Sequence, residues 1–154
     1  QGIAVSPDGR IFVAQALMAR ISIFSPQGEF LEYLGERGDA PGQFDNPKDI
    51  AFGPDGMLFI LDARKPGLLV FNKDLQALLV LSTARGSVNP LSLDSPGGLF
   101  VSAAGRIMIV DRLQRRFSLW QYLTPEYLAE YPVTEADLQR IKAATKTDLP
   151  AVAN

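Results

Sequence analysis

The chain reads as an all-β repeat protein with a short helical tail, and three observations predict it. Three stretches share one pattern in one register. Their apolar runs are about five or six residues long, the length of ordinary strands. Turn formers punctuate every run, with 13 Gly and 11 Pro among 154 residues, a surplus over usual composition.

The first stretch is Gly2-Ile-Ala-Val-Ser-Pro-Asp-Gly-Arg-Ile-Phe-Val-Ala-Gln15. It is echoed by Asp49-Ile-Ala-Phe-Gly-Pro-Asp-Gly-Met-Leu-Phe-Ile-Leu-Asp62 and by Gly98-Leu-Phe-Val-Ser-Ala-Ala-Gly-Arg-Ile-Met-Ile-Val-Asp111. The turn glycines Gly9, Gly56 and Gly105 stand 47 and 49 residues apart, as do the aromatics Phe24, Phe71 and Trp120. Independent markers in one register are the signature of a repeat architecture.

Each unit has a physical reading. Ile3 to Val5 and Ile50 to Phe52 are short apolar runs that end at Pro7-Asp8-Gly9 and Pro54-Asp55-Gly56. Proline presets φ, Asp bonds its own backbone and Gly accepts positive φ, so each triplet turns a hairpin. The returning strands are Arg10 to Gln15, Met57 to Asp62 and Arg106 to Asp111. A short loop leads to third strands at Arg20 to Ser25, Gly67 to Asn72 and Arg116 to Tyr122, and fourth strands follow at Glu29 to Leu34 and Gln76 to Leu81. Helices are excluded by run length and by the Pro/Gly breaks. A four-stranded meander of this length buries one face on a neighbour and needs several neighbours in a ring, so the fold is a partial β-propeller.

The boundaries expected are blades over about 1–46, 47–95 and 96–122, with a tail over 123–154. The third blade lacks its fourth strand. The chain is therefore either the C-terminal portion of a larger propeller whose other blades lie elsewhere, or a half-ring that two copies complete. Either way large apolar blade faces demand a partner.

Composition removes several functions. Apolar residues are 47% and charged residues 21%, with a net charge of −2, so general attraction to nucleic acid or anionic membrane is absent. With no Cys there is no disulfide, thiolate zinc site, covalent haem attachment or thiol nucleophile. With no His, the commonest general base and imidazole metal ligand is missing. No apolar run is long enough to span a bilayer. No basic-then-apolar leader opens the sequence.

The segment Gly38-Asp-Ala-Pro-Gly-Gln-Phe44-Asp-Asn-Pro47, followed by Asp49-Ile-Ala, resembles the NHL-repeat pattern, with Leu93 and Pro96 in the places of Phe44 and Pro47. Asp62 and Asp111 match the family's strand-ending Asp, and Gln15 departs from it. The resemblance covers about residues 2–122 and implies a six-bladed type of propeller. Exported bacterial NHL proteins look similar, which implies a periplasmic or extracellular place, and some are associated with multihaem cytochrome assemblies. Some NHL propellers read RNA. Here the aromatics Phe24, Phe71, Phe117 and Trp120 sit in strands and are expected in the core, which leaves single-stranded nucleic acid no stacking platform. Propeller amidating lyases and lactonases rely on histidines, so enzyme activity would require residues from absent blades.

Loops after the second and fourth strands share one face. That face carries Arg20, Arg37, Arg64, Lys65, Arg85, Arg112, Arg115 and Arg116 against Glu36, Asp39, Asp45, Asp94, Asp62 and Asp111. The candidate partner-binding residues are Arg64, Lys65, Arg112, Arg115 and Arg116, joined by Tyr122, Tyr127 and Tyr131, because aromatics concentrate at binding hot spots. Asp62 and Asp111 are expected to bind the backbone N–H groups of the loops that follow them. No catalytic residue, metal site or cofactor is assigned. Gly35 to Gly42 reads as an interblade linker.

The tail changes character. Thr124-Pro125-Glu126 opens a short helix to Tyr131, stopped by Pro132. Thr134-Glu-Ala-Asp137 resembles a capping box before a second helix, with Leu138 and Ile141 as a narrow apolar stripe. Leu149 to Asn154 reads as a frayed end. The expected function is a non-catalytic protein-binding scaffold. The alternatives are a propeller hydrolase or lyase and an RNA-binding propeller.

Overall fold

In the computed structural model, which describes residues 2–65, 67–82 and 93–147, three corners close because Gly9, Gly56 and Gly105 adopt left-handed backbone with φ of 88°, 77° and 73°. Around the first corner run β1 (Ile3–Val5) and β2 (Ile11–Gln15), followed by β3 (Arg20–Phe24) and β4 (Phe30–Leu34). The second repeat forms β5 (Pro47–Phe52), β6 (Leu58–Asp62), β7 (Gly67–Phe71) and β8 (Ala77–Ser82). The third forms β9 (Pro96–Val101), β10 (Arg106–Asp111) and β11 (Arg116–Gln121). The sheets are ordered β1-β2-β3-β4, β5-β6-β7-β8 and β9-β10-β11, every neighbouring pair antiparallel. These are three propeller blades, and the fold is all-β.

The first strands pack together. β5 lies against both β1 and β9, the Gly2 N–H donates to the Lys48 carbonyl at 3.0 Å, and the Leu99 N–H donates to Asp49 Oδ2 at 2.8 Å. Strand alternation then gives each sheet two faces. From the first blade, Phe12, Ala14, Ile21 and Ile23 pack against Ile50, Leu58, Ile60, Leu69 and Phe71 of the second. The opposite face of the second blade, Phe59, Leu61, Leu68 and Val70, packs against Ile107 and Ile109 of the third. The middle blade is thus buried on both sides, and every residue of β6 and β7 is buried.

The linker between the first two blades is pinned by a close approach. Gly35 has φ of 71°, and a Cβ there would sit 2.2 Å from the Phe44 ring. Phe44 itself is fully buried and lies 6.0 Å from Phe71, ring to ring. Gly35→Ala therefore combines strained backbone with overpacking, and urea unfolding is expected to show a loss of about 2 kcal/mol.

Residues Gln1–Tyr122 and Leu123–Asn154 form two compact units. In the second, α1 (Pro125–Glu130) starts with Pro in its first turn after Thr124, whose hydroxyl accepts the Tyr127 N–H at 3.1 Å. α2 spans Glu135–Thr147. Its capping box is closed by the Thr134 N–H donating to Asp137 Oδ2 at 3.0 Å and the Asp137 N–H donating to Thr134 Oγ1 at 3.3 Å. The side-chain bond from Thr134 holds the Asp137 carboxyl below its ordinary range. Leu138, of the narrow apolar stripe that the spacing predicts, is 40% exposed. The Ile141 side chain and the end from Leu149 to Asn154 lie outside the described residues.

One further correction concerns the blades. Phe117, expected in the core, is 67% exposed, because no further sheet among the described residues covers its side of the third blade. The short loop after β2 contains a 3₁₀ turn over Ala16–Met18, closed by Ala19 at φ of 52°.

Candidate functional site

The loops after the second and fourth strands meet, as the meander requires. Arg37 donates to the Leu17 carbonyl at 3.1 Å and to the Asp45 carbonyl at 3.3 Å. Lys65 pairs with Asp39 at 2.7 Å and also donates to the Gly38 carbonyl. One loop face therefore gathers charged side chains from successive blades.

Two carboxylates organise it. Asp62 is fully buried at the end of β6. It accepts the N–H groups of Arg64 and Lys65 at 2.9 and 3.0 Å. It also accepts those of Asp45 and Asn46, at 2.8 and 3.0 Å to Oδ2, from the linker before its blade. Asp111 repeats this at the end of β10, accepting from Asp94, Ser95, Leu113 and Gln114 at 2.6, 3.1, 3.0 and 3.0 Å. Burial alone would push the Asp111 carboxyl up, but these four backbone bonds together outweigh it and hold it below its ordinary range. The sequence pointed to the following-loop donors. The linker donors come from 16 and 17 residues earlier, and the Asn46 and Ser95 repeat positions were the only sign of them.

Arg112, Arg115 and Arg116 come together beside a groove of about 290 Å³ floored by Val110 and Phe117. Arg112 and Arg115 are exposed, and among the described residues neither forms an ion pair. Arg115 has φ of 51°, the same repeat position as Ala19. The Arg112 side chain lies over Gly97, where a Cβ would meet its Nε at 2.7 Å. In the second blade Arg64 instead approaches Asp45 at 3.8 Å, so Arg64 and Lys65 are partly neutralised. Arg85 lies outside the described residues.

The aromatic candidates divide. Tyr122 packs edge-on against Phe59, with ring centroids 5.9 Å apart, and donates its hydroxyl to Asp55 Oδ2 at 3.1 Å. Partial burial, with that bond to Asp55, raises its hydroxyl above the usual range. Tyr122 therefore joins the second blade to the third. Tyr127 and Tyr131 belong to the other unit, where their rings lie 5.0 Å apart.

On the opposite side of the blades, Ser6, Asp8, Arg10, Asp55 and Lys73 line a cleft of about 280 Å³ at the Pro-Asp-Gly corners. The Ser6 hydroxyl donates to Asp8 and, with the Arg10 backbone and side chain, holds that carboxyl low. Within the cleft Asp8 and Arg10 pair with each other at 2.9 Å, while Asp55 accepts the Tyr122 hydroxyl. Among the described residues no group of three or more acidic side chains is placed to hold a metal ion, and no helix is long and apolar enough to cross a membrane.

A family model described as a 6-bladed beta-propeller matches residues 3–85. Several solved structures are similar. One protein proposed as a gluconolactonase is 15% identical over 81% of this chain and 46% of that one, with a TM-score of 0.64. A protein of unknown function from Bacteroides caccae is 17% identical over 80% of this chain and 39% of that one, with a TM-score of 0.55. A gluconolactonase from Xanthomonas campestris is 20% identical over 72% of this chain and 34% of that one, with a TM-score of 0.53. The chain thus spans less than half the length of these structures. No curated protein sequence matches it.

Proposed function

Because this chain belongs to the 6-bladed β-propeller family, we propose that it serves as a non-catalytic scaffold of NHL type, docking a protein partner as part of a larger exported assembly. The observation that carries this reading is the state of the loop face. Its two buried carboxylates are each occupied by four backbone N–H groups, so they brace loops rather than move protons. Beside them stand two exposed guanidinium groups, at Arg112 and Arg115, suited to bidentate contact with carboxylates of an acidic surface. A multihaem cytochrome assembly is the partner class that the resemblance to exported NHL proteins suggests.

The test reverses charge at both positions. Arg112→Glu with Arg115→Glu is expected to leave the unfolding free energy within about 0.5 kcal/mol, as surface changes do. Association of the full protein with its isolated partner is expected to weaken by about tenfold or more, from an affinity that falls with added salt. Undiminished association would remove the docking role from these arginines. Turnover of a sugar lactone by the full protein, with stoichiometric metal, would overturn the non-catalytic reading in favour of a hydrolase or lyase. Salt-sensitive retention of RNA would favour the nucleic-acid reading.

A further inference from the structure

We infer that the loop face rests on the surface of an anionic phospholipid bilayer, with Leu17, Met18 and Leu113 entering it and Arg112 and Arg115 meeting the headgroups. This goes beyond the protein-docking reading and stands or falls separately from it. The net charge of −2 gives no general attraction to lipid, so the contact depends on where particular side chains are placed. Leu17 and Leu113 stand 96 residues apart, two repeats, in the loops after β2 and β10. Each is followed two positions later by a left-handed residue, Ala19 at φ of 52° and Arg115 at φ of 51°. One backbone turn, repeated, thus carries both leucines to the same level of the loop face.

Among the described residues Leu17, at 87%, and Leu113, at 70%, are the most exposed large hydrophobic side chains, and Met18 beside Leu17 is 64% exposed. The exposure belongs to the repeat position rather than to one blade. Its middle counterpart, Arg64, has a blade on each side and approaches Asp45 of the linker before it, and its side chain is still 65% exposed. A single exposed leucine needs no explanation. Two at one loop position, each beside a guanidinium, form a pattern: Arg37 donates to the Leu17 carbonyl at 3.1 Å, and Arg112 and Arg115 bracket Leu113.

The acidic groups of this face are engaged. Asp45 pairs with Arg37 and Asp39 with Lys65, the Gln114 and Gln43 amides donate to Asp94 and Glu36, and Asp62 and Asp111 are buried. Arg112 and Arg115, with no ion pair among the described residues, therefore set the potential around Leu113. A bilayer fits this arrangement better than a protein does. The apolar tips are convex and lie two blades apart, so a protein would need a separate socket for each. Lipid admits an apolar tip anywhere along a level surface, and its phosphates accept guanidinium hydrogen bonds. Each cation near an anionic leaflet strengthens binding about fivefold, and salt screens that part away.

Cosedimentation of the full protein with vesicles of mixed phosphatidylglycerol and phosphatidylcholine, against phosphatidylcholine alone, tests this. Wild type is expected to bind the anionic vesicles about tenfold more tightly or better, with an affinity that falls as salt rises. Leu17→Ser with Leu113→Ser is expected to weaken that binding by about tenfold, and Arg112→Glu with Arg115→Glu by at least as much. Leu78→Ser, 57% exposed at the start of β8 and far from the loop face, is expected to change nothing. All these positions are exposed, so each variant is expected to keep the wild-type circular dichroism spectrum. Absence of vesicle binding would overturn the inference. So would binding that ignores the leucines or the arginines, equal binding to phosphatidylcholine alone, or an equal loss on Leu78→Ser. Leucine variants that lose only the isolated protein partner would also overturn it, by assigning the tips to that contact. The vesicles hold no protein, so their results leave the docking reading to its own test with the partner.

Discussion

Asp62→Ala is expected to destabilise the blades by about 3–5 kcal/mol, measured by urea unfolding at an unchanged slope. The side chain accepts four backbone N–H groups, two from the linker before its blade and two from the loop after β6. Each buried donor left without a partner costs about 1–3 kcal/mol, and water entering the vacated space recovers part of that. Asp62→Asn separates charge and shape. Oδ1 accepts from Arg64 and Lys65 while Oδ2 accepts from Asp45, so an amide nitrogen at either place points a donor at donors. A loss of about 2 kcal/mol or more is expected there too. Unchanged stability in both variants would mean that Asp62 is not a brace.

The paired residue Asp111 extends this to pH. Its carboxyl is held below the ordinary value by four backbone bonds. A depressed folded pKa means that the unfolded chain takes up protons first, so stability falls as pH drops. Its contribution is complete above the ordinary carboxylate value of about 4 and disappears as pH falls through the lower folded value. Acid titration of wild type against Asp111→Asn is expected to show a shallower loss in the variant below about pH 4.

Phe59→Ala is expected to cost about 3–5 kcal/mol, the usual range for emptying a buried aromatic site. Phe59 is 1% exposed, meets Tyr122 edge-on and belongs to the cluster that joins the second blade to the third. Blades above and below hold its neighbours in place, which limits collapse into the vacancy. Leu113→Ala provides the contrast. Leu113 is 70% exposed in the loop after β10, and its truncation is expected to change stability by less than about 0.5 kcal/mol.

Much of the blade architecture was legible because turn chemistry is local. Pro-Asp-Gly encodes its own reversal at Gly9 and at Gly56, and with the Ala103-Ala-Gly105 corner in the same register it places the flanking strands within a few residues. The strand-ending carboxylates were half legible. A carboxylate that bonds its own following loop is a short-range motif, whereas Asp45, Asn46, Asp94 and Ser95 reach it only after the blade has folded. Phe117 shows what alternation cannot reveal. Period two states that β11 has two faces, and only the presence of a neighbouring sheet decides which one is dry. Leu75 shows tertiary override. It adopts φ of 60° at the repeat position where Gly28 has 89°, held there by packing against the core between the first two blades. Nothing in Ala16-Leu-Met-Ala19 announces a left-handed residue, so the 3₁₀ turn was illegible.

The molecule's defining property is that its middle sheet shows one face to the first blade and the other to the third. Phe12 and Phe52 mark that order between the first two blades, their rings 5.0 Å apart. Tyr122 and Asp55 mark it between the third blade and the second, joined at 3.1 Å. The chain contains no cysteine, so Asp55→Cys with Tyr122→Cys introduces the only thiols. Treatment with a short bifunctional maleimide, followed by mass spectrometric mapping, is predicted to join position 55 to position 122 within one chain. Folded protein in which these positions do not link would contradict the stacked order of the blades.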